Sequence, residues 1–283
     1  MKLVTFRRPD ESIGWGIVKQ DGVIDAHRRM GDALPTLRSV LDAGPSDKLQ
    51  ALSGQGPDLA LAELQILPPL INPPKLIMIG LNYRAHQREL GLPEPRNPVV
   101  IARFANSQVG HGQPLIRPRV SDQFDYEGEL AVVIGKRVRA IAPEDALSAV
   151  AGYACYMDGT VRDFQKHSTQ VLPAKSFPGT GAFGPWIVTA DEVPDPSNLQ
   201  LVTRVNGEAV QTTSTDDMIW SVPQLVSYLS VFLELEPGDV IATGTTSGVG
   251  SMRQPPRWLK PGDSVEVEIS SIGKLTNPVL AEA

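Results

Sequence analysis

The stretch that decides the fold is FDYEGELAVVIG, residues 124–135. Leu130–Ile134 is a short apolar run closed by a glycine, a pattern typical of a buried strand. Side chains alternate across a strand, so Glu127 and Glu129 are predicted to point to the same face with only a glycine between them. Two like charges held so close beside an apolar run are costly unless a cation neutralises them. Such a pair marks either a solvated strand end or a cation site, and residues elsewhere must decide.

The composition of the chain is typical of a soluble globular protein. A length of 283 residues favours one large domain with a small accessory one. The 25 glycines and 25 prolines are dispersed along the chain, which favours a β-rich fold with many turns over a disordered one.

Charge and cysteine content limit which kinds of binding partner and which cellular compartment are expected. A net charge of −6 and a pI near 5.3 argue against nucleic-acid or anionic-membrane partners. The single cysteine, Cys155, excludes an intrachain disulfide and lies in an apolar run typical of core packing. No signal peptide pattern follows Met1, and no apolar run reaches the roughly 18 residues that span a bilayer. We therefore expect a cytoplasmic protein.

Two domains are predicted. Residues 1–70 alternate short strand-like runs with turns and one weakly helical segment, which indicates a small N-terminal α+β accessory domain without catalytic residues. Proline pairs at 68–69 and 73–74 mark the boundary, and residues 71–283 form the main, catalytic domain. Its first strand is predicted at Lys75–Gly80.

Two helices of the main domain bear on function or on the core. Helix-forming residues run from Arg84 to a stop at Gly91, and they place His86 and Glu89 at i and i+3 on one face. Such a pair is either surface decoration or part of a catalytic site. The segment 222–233 carries an apolar stripe that predicts a core helix.

A third carboxylate supports the cation site. Asp158 ends an apolar run just before a glycine, and with Glu127 and Glu129 it would form an all-oxygen site. Hard ligands of this kind suit Mg²⁺, Mn²⁺ or Ca²⁺ and disfavour zinc. Lys175 is the most interesting cation nearby, and the loop at 244–250 could wrap backbone amides around an anion.

Taken together, these motifs resemble the fumarylacetoacetate hydrolase superfamily over about Pro74 to Pro278. The resemblance is carried by many separate segments in one order: GLNY (80–83) with His86 and Glu89, YEGEL (126–130), Asp158 with RDFQ (162–165), KSF (175–177), GPW (184–186), VNGE (205–208), PGDVIATGT (237–245) and GKLTNP (273–278). The sequence departs from the family pattern at Met157, at 160–161 and at 178–183, which adjoin the predicted pocket and leave the substrate open.

The resemblance implies a mixed, mainly β fold with a rolled β-sheet core and short helices, usually in a homodimer. It implies a divalent metal on Glu127, Glu129 and Asp158, with Mg²⁺ or Mn²⁺ first and Ca²⁺ as a further candidate. It also implies that the helix carrying His86 and Glu89 belongs to a lid.

The function predicted from this resemblance is hydrolysis of a carbon–carbon bond in a 2,4-dioxo acid of the acylpyruvate type, a small anionic substrate. His86, oriented by Glu89, would deprotonate the attacking water, and Lys175 would stabilise negative charge on the oxo-acid end. Residues predicted to hold the substrate are Tyr83, Arg162, Gln165, Thr243 and Thr245.

Three alternatives stay open at this point. An oxaloacetate-type decarboxylase needs the same metal chemistry without an attacking water, and a 2-oxo-dienoate isomerase or hydratase would use the same centre. A non-catalytic ligand-binding protein with a structural cation is the third alternative, and it would not need His86 and Glu89.

Overall fold

Strands predominate in the computed structural model of the chain, which describes residues 1–44 and 46–283. The predicted class, mixed and mainly β, is confirmed. The strands are β1 (Lys2–Arg7), β2 (Ile13–Lys19), β3 (Gly22–Ile24), β4 (Leu59–Ala60), β5 (Gln65–Leu67), β6 (Leu76–Gly80), β7 (Val99–Ala102), β8 (Gln108–Val109), β9 (Leu115–Arg117), β10 (Phe124–Asp125), β11 (Gly128–Ile134), β12 (Val150–Met157), β13 (Thr160–Val161), β14 (Gly181–Thr189), β15 (Gln200–Val205), β16 (Glu208–Ser214), β17 (Val240–Thr245), β18 (Ser264–Ile269) and β19 (Gly273–Ala281).

Helices are short. The α-helices are α1 (Ala26–Met30), α2 (Leu37–Ala43), α3 (Asp47–Ser53), α4 (Arg84–Leu90), α5 (Arg162–Gln165), α6 (Leu172–Lys175) and α7 (Val222–Phe232). Short 3₁₀ helices occur at Leu61–Glu63, Ala105–Ser107, Pro143–Ala149, Ala190–Glu192, Pro196–Asn198, Thr215–Asp217 and Gly250–Met252. None of the helices in the described part of the chain is long and apolar enough to cross a membrane.

Two large sheets and one small one make up the fold. The larger sheet has 12 strands, ten of them in the order β4-β3-β2-β1-β14-β12-β11-β17-β6-β7, with β5 beside β1 and β8 beside β14. A second sheet has the order β16-β15-β18-β19-β9, and β10 pairs with β13. Strand β11 therefore lies inside the larger sheet between β12 and β17, antiparallel to both.

Every residue of β11 is buried because both faces of the strand are covered. Leu130, Val132 and Ile134 belong to the core shared with the second sheet. Ala131 and Val133 face the other way, into a core shared with the N-terminal residues. The sequence predicted this strand from its apolar run, and burial on both faces explains why that run is continuous.

The N-terminal residues extend the larger sheet. Strand β1 pairs antiparallel with β14, and Trp15 and Leu37 share a core with Ala131 and Val133 of β11. The predicted division into domains at residue 70 stays a prediction.

A glycine lets the two large sheets approach each other at the start of β11. A Cβ at Gly128 would lie 2.0 Å from Oγ1 of Thr203, a buried residue of β15. The backbone N–H of Gly128 also donates to Gln211 on β16, at 2.9 Å. The glycine between the two glutamates is therefore required by packing between the sheets.

Substitution of this glycine tests the close approach. Gly128→Ala should lower the free energy of unfolding by about 1–3 kcal/mol, because the new methyl group overpacks the contact with Thr203. Gly56→Ala is the matched control, since a Cβ at Gly56 meets nothing within 4 Å. Denaturant unfolding of both variants checks the prediction, and equal stabilities would contradict it.

Candidate active site

Two neighbouring strands bring the three predicted carboxylates together. Because β11 and β12 are antiparallel, the start of β11 lies beside the end of β12, and the N–H of Asp158 donates to the carbonyl of Glu127 at 2.8 Å. One oxygen from each of Glu127, Glu129 and Asp158 lies within 4.8 Å of the others, and all three side chains are buried. The structure thus groups these residues as the sequence indicated, while their role as metal ligands stays a prediction.

A bulge in β17 completes the surroundings of Glu129. The pairing of β11 with β17 shifts register between Glu129 and Ala131, and Gly244 adopts φ +100° on the bulged strand. Its N–H donates to Oε2 of Glu129 at 2.8 Å. Bulges re-aim backbone groups in this way, and the positive φ requires glycine.

Glu127 is neutralised by two basic side chains. Its Oε2 accepts from Nζ of Lys175 at 2.6 Å, and its Oε1 accepts from Arg162 at 2.5 Å. Burial alone would raise the pKa of Glu127, but the charges of Lys175 and Arg162 lower that pKa to about 2. Glu127 is therefore ionised at neutral pH.

Lys175 is held among the carboxylates. Its ammonium donates to Glu127, to Asp158 at 2.5 Å and to Thr160 at 2.7 Å. Burial disfavours the charged form, yet the carboxylates of Asp158 and Glu127 raise the pKa of Lys175 above its usual value. All three ammonium hydrogens are used, so Lys175 must exchange one of these contacts to bind a substrate.

Glu129 has the opposite electrostatic environment. In the described residues, no basic side chain forms an ion pair with it, and its fixed donor is the amide of Gly244. Burial and the charges of Asp158 and Glu127 raise the pKa of Glu129 well above its ordinary value. This carboxylate therefore lacks the compensating charge that its neighbours have.

The residues present fit a divalent cation. Three buried carboxylates converge, and the one without a basic partner would be neutralised by a cation at this point. The donors are all oxygens, which suits a hard ion such as Mg²⁺ or Mn²⁺.

The predicted His–Glu pair is formed on α4. Nδ1 of His86 lies 2.8 Å from Oε2 of Glu89, whose Oε1 accepts from the N–H of Gly248 at 2.8 Å. An ionised carboxylate can only accept, so Nδ1 carries a proton, and in the neutral imidazole Nε2 keeps the lone pair. The glycine-rich loop after β17 thus anchors the pair, while Gly244 within β17 gives the amide that binds Glu129.

One cavity of about 670 Å³ collects most of the predicted site residues. Its lining includes His86, Glu127, Glu129, Asp158, Arg162, Gln165, Lys175 and Thr245. Apolar side chains form most of the remaining wall, among them Leu90, Leu92, Val99, Ile101 and Trp258. The cavity lining therefore combines charged side chains (its charged part) with apolar ones (its apolar part).

Tyr83 and Thr243, predicted to hold the substrate, lie outside this lining. Both are fully buried, and the hydroxyl of Thr243 donates to the carbonyl of Leu130 at 2.9 Å. Thr245 does line the cavity, but its hydroxyl donates to the carbonyl of Gly128 at 3.0 Å and accepts from Gln211 at 2.8 Å. In this structure these threonines serve the packing of β11 against β17.

Sequence reasoning missed two charged residues of the site. Arg103 donates to Asp158, and Asp125 accepts from Nε of Arg162 at 2.8 Å and from the amide of Gly250 at 2.7 Å. The same alternation that paired Glu127 with Glu129 includes position 125 and could have identified Asp125. No comparable pattern surrounds Arg103.

The contrast between the two glutamates gives a matched test of stability in the presence of a chelator. At pH 7, Glu129→Gln should raise the free energy of unfolding by about 0.5–2 kcal/mol, because a buried charge without a basic partner is removed. A raised folded-state pKa means that the folded protein binds more protons than the unfolded one, so the gain should shrink as the pH falls. Glu127→Gln should instead cost about 1–3 kcal/mol, because Lys175 and Arg162 each lose one of their two carboxylate partners.

Denaturant unfolding between pH 5 and pH 8 (about the range of maximal stability for most proteins) checks both signs. Destabilisation by Glu129→Gln equal to that by Glu127→Gln would contradict the electrostatic difference between the two carboxylates.

Comparison with known proteins identifies the family of the chain. The sequence model described as fumarylacetoacetate (FAA) hydrolase, C-terminal, matches residues 75–280. Oxaloacetate tautomerase FAHD2A, mitochondrial, from Bos taurus is 38% identical over 288 aligned residues, covering 99% of this chain and 92% of the relative.

Solved structures extend the similarity to the whole fold. A fumarylacetoacetate hydrolase from psychrophilic Exiguobacterium antarcticum is 35% identical with a TM-score of 0.85, and the match covers 100% of both chains. A maleylpyruvate hydrolase from Sphingobium sp. SYK-6, in complex with a manganese(II) ion and pyruvate, is 28% identical with a TM-score of 0.84, again over 100% of both chains. The chain belongs to the fumarylacetoacetate hydrolase family.

Proposed function

We propose that the protein is a divalent-metal-dependent enzyme that interconverts the keto and enol forms of a short 2-oxo acid of the oxaloacetate type. The observation that carries the proposal is that a His–Glu pair and three buried carboxylates line or adjoin one cavity. The bovine relative, which is named an oxaloacetate tautomerase and is similar over 99% of this chain, supports this choice of reaction.

The metal would be held by Glu127, Glu129 and Asp158. When bound, a divalent ion supplies Lewis-acid polarisation of the 2-oxo group. Lys175 and Arg162 line the same cavity, but their charges are paired with Glu127, Asp158 and Asp125. A bound cation would supply the additional positive charge that attracts an anionic substrate despite the net charge of −6.

His86 is the proposed base. Nε2 removes a proton from C3 of the ketone, and the electron pair of that C–H bond forms the double bond between C2 and C3. Lys175 stabilises the negative charge that develops on the C2 oxygen. Return of the proton to this oxygen gives the enol. Glu89 fixes the tautomer of His86 and stabilises its protonated form.

Hydrolysis of an acylpyruvate-type acid is the second candidate function. Leu90, Leu92 and Trp258 line the apolar part of the cavity, which offers space for an acyl group. A four-carbon acid has no such group. The maleylpyruvate hydrolase relative supports a reaction of this class. His86 would then deprotonate a water for attack on the 4-carbonyl carbon, as the sequence predicted.

The remaining expectations stay proposals. Mg²⁺ or Mn²⁺ is the proposed metal, supported by the manganese(II) ion in the Sphingobium relative. A homodimer and a cytoplasmic location rest on the resemblance and on the sequence. The bovine relative is named as a mitochondrial protein, so the location of this chain needs its own measurement.

Loss of the base tests the mechanism. His86→Ala should lower kcat for enol–keto conversion of oxaloacetate by about 10²–10⁴, the usual contribution of general acid–base catalysis. The affinity for Mn²⁺ should be unchanged, because the side-chain contact of His86 in this structure is with Glu89 and not with a carboxylate of the triad. Absorbance of the enol followed over time, together with titration calorimetry, provides the two measurements.

Identification of the products from two kinds of substrate decides between the two reactions. Oxaloacetate and a panel of acylpyruvates are incubated with the Mn²⁺-loaded wild-type protein, and the products are identified by NMR. Faster enol–keto exchange without cleavage of the acylpyruvates supports the tautomerase. Release of pyruvate and a carboxylic acid, with no acceleration of exchange, would replace it by the hydrolase.

A further inference from the structure

We infer that Arg103 is a positioning residue that holds Asp158 so that a single carboxylate oxygen faces the metal. The inference rests on the metal centre of the proposed function but is independent of which reaction that centre catalyses. Neither the sequence motifs nor the comparisons assign a role to this residue.

Arg103 is fixed on all sides. Its side chain is fully buried, and NH1 donates to Oδ1 of Asp158 and, at 3.2 Å, to the carbonyl of Gly159. NH2 donates to Thr180 at 2.7 Å and to the carbonyl of Ser107 at 3.3 Å, while Nε donates to the hydroxyl of Ser107 at 2.7 Å. The five N–H donors of a guanidinium are thus all used, which leaves the group one orientation.

The backbone around Arg103 is shaped to receive it. A Cβ at Gly181, the first residue of β14, would lie 2.6 Å from the guanidinium carbon. Glycine at this position therefore leaves the space that the side chain fills. The arrangement is a built support for Asp158 and not a chance surface ion pair.

The other two carboxylates follow the same pattern. Arg162 binds Oε1 of Glu127, and the amide of Gly244 binds Oε2 of Glu129. Each carboxylate therefore has one oxygen occupied by a fixed donor, and the other oxygen is the one we assign to the metal. Lys175 contacts the remaining oxygens of Glu127 and Asp158, and each of these has a second lone pair.

Three single-oxygen ligands favour a small cation. Ca²⁺ takes six to eight oxygens and commonly uses both oxygens of a carboxylate, whereas Mg²⁺ prefers six ligands, several of them waters. Fixed donors that occupy the second oxygens reduce the number of protein ligands open to Ca²⁺. Arg103 should therefore strengthen binding of Mn²⁺ and Mg²⁺ more than binding of Ca²⁺.

A role through charge and a role through positioning predict opposite changes in Mn²⁺ affinity when Arg103 is replaced. A guanidinium beside a cation site repels the cation, so a role through charge alone means that Arg103→Met binds Mn²⁺ more tightly. A role in orienting Asp158 means that the same variant binds Mn²⁺ more weakly. The sign of the change therefore separates the two roles without any measurement of activity.

The experiment titrates Mn²⁺ and Ca²⁺ into the full-length wild-type protein, Arg103→Met and Arg8→Met by calorimetry. Arg8 is the matched control, since it is similarly buried and binds both oxygens of Asp25, at 2.7 and 2.8 Å, outside the cavity lining. We expect Arg103→Met to weaken Mn²⁺ binding by about 10–100-fold, the usual effect of losing a residue that orients a metal ligand. The loss for Ca²⁺ should be smaller, and Arg8→Met should change neither affinity.

Thr180→Val provides a second variant that keeps Arg103 but removes one of its anchors. It should weaken Mn²⁺ binding in the same direction by a smaller factor. Should Arg103→Met fail to fold, unchanged Mn²⁺ affinity in Thr180→Val overturns the inference.

Several results would overturn the role of Arg103 while leaving the proposed function intact. They are tighter or unchanged Mn²⁺ binding in Arg103→Met, equal losses in Arg103→Met and Arg8→Met, or equal losses for Mn²⁺ and Ca²⁺. Absence of binding by the wild-type protein would instead overturn the metal centre, and with it both the proposed function and this inference.

Discussion

The fold depends on how the chain compensates negative charge that it buries in one place. Glu127, Glu129 and Asp158 lie at the joined ends of two central strands, where burial removes most of their contact with solvent. Arg162, Lys175 and Arg103 are buried beside two of these carboxylates and leave the third without a basic partner in the described residues. The missing basic partner of Glu129 favours a cation at this point, and binding of a metal by the three carboxylates stays a prediction.

Two glycines determine the local backbone structure around the carboxylates. Gly128 separates the two glutamates because Thr203 of the second sheet occupies the space where a Cβ would lie. Gly244 turns its amide toward Glu129 by adopting a φ that other residues avoid. Glycines in this region are consequently explained by contacts between sheets and by hydrogen bonds to a carboxylate.

Much of this arrangement could be predicted from local patterns. The apolar run 130–134 identified the central strand, helix α4 begins at Arg84 and ends at Leu90 as its pattern indicated, and alternation grouped Glu127 with Glu129. Arg103 could not be predicted, because its partner Asp158 is 55 positions away and no periodicity connects them. Tyr83 and Thr243 lie outside the cavity lining, since a motif shows that residues occur together but not which way each side chain points. Their role in substrate binding stays a prediction.

The cavity divides the chemistry between two kinds of residue. Its charged part, with His86 and Lys175 beside the carboxylates, can serve any reaction that removes a proton from a 2-oxo acid or activates a water next to one. These residues therefore cannot by themselves choose between tautomerisation and hydrolysis. The choice must come from what fills the apolar part, since an acyl group beside Leu92 and Trp258 would bring a second carbonyl within the cavity, whereas a four-carbon acid would leave that space to water. Under the proposed function, the hydrophobic wall would select between the two reactions, and the His–Glu pair and the three carboxylates would supply the reactivity.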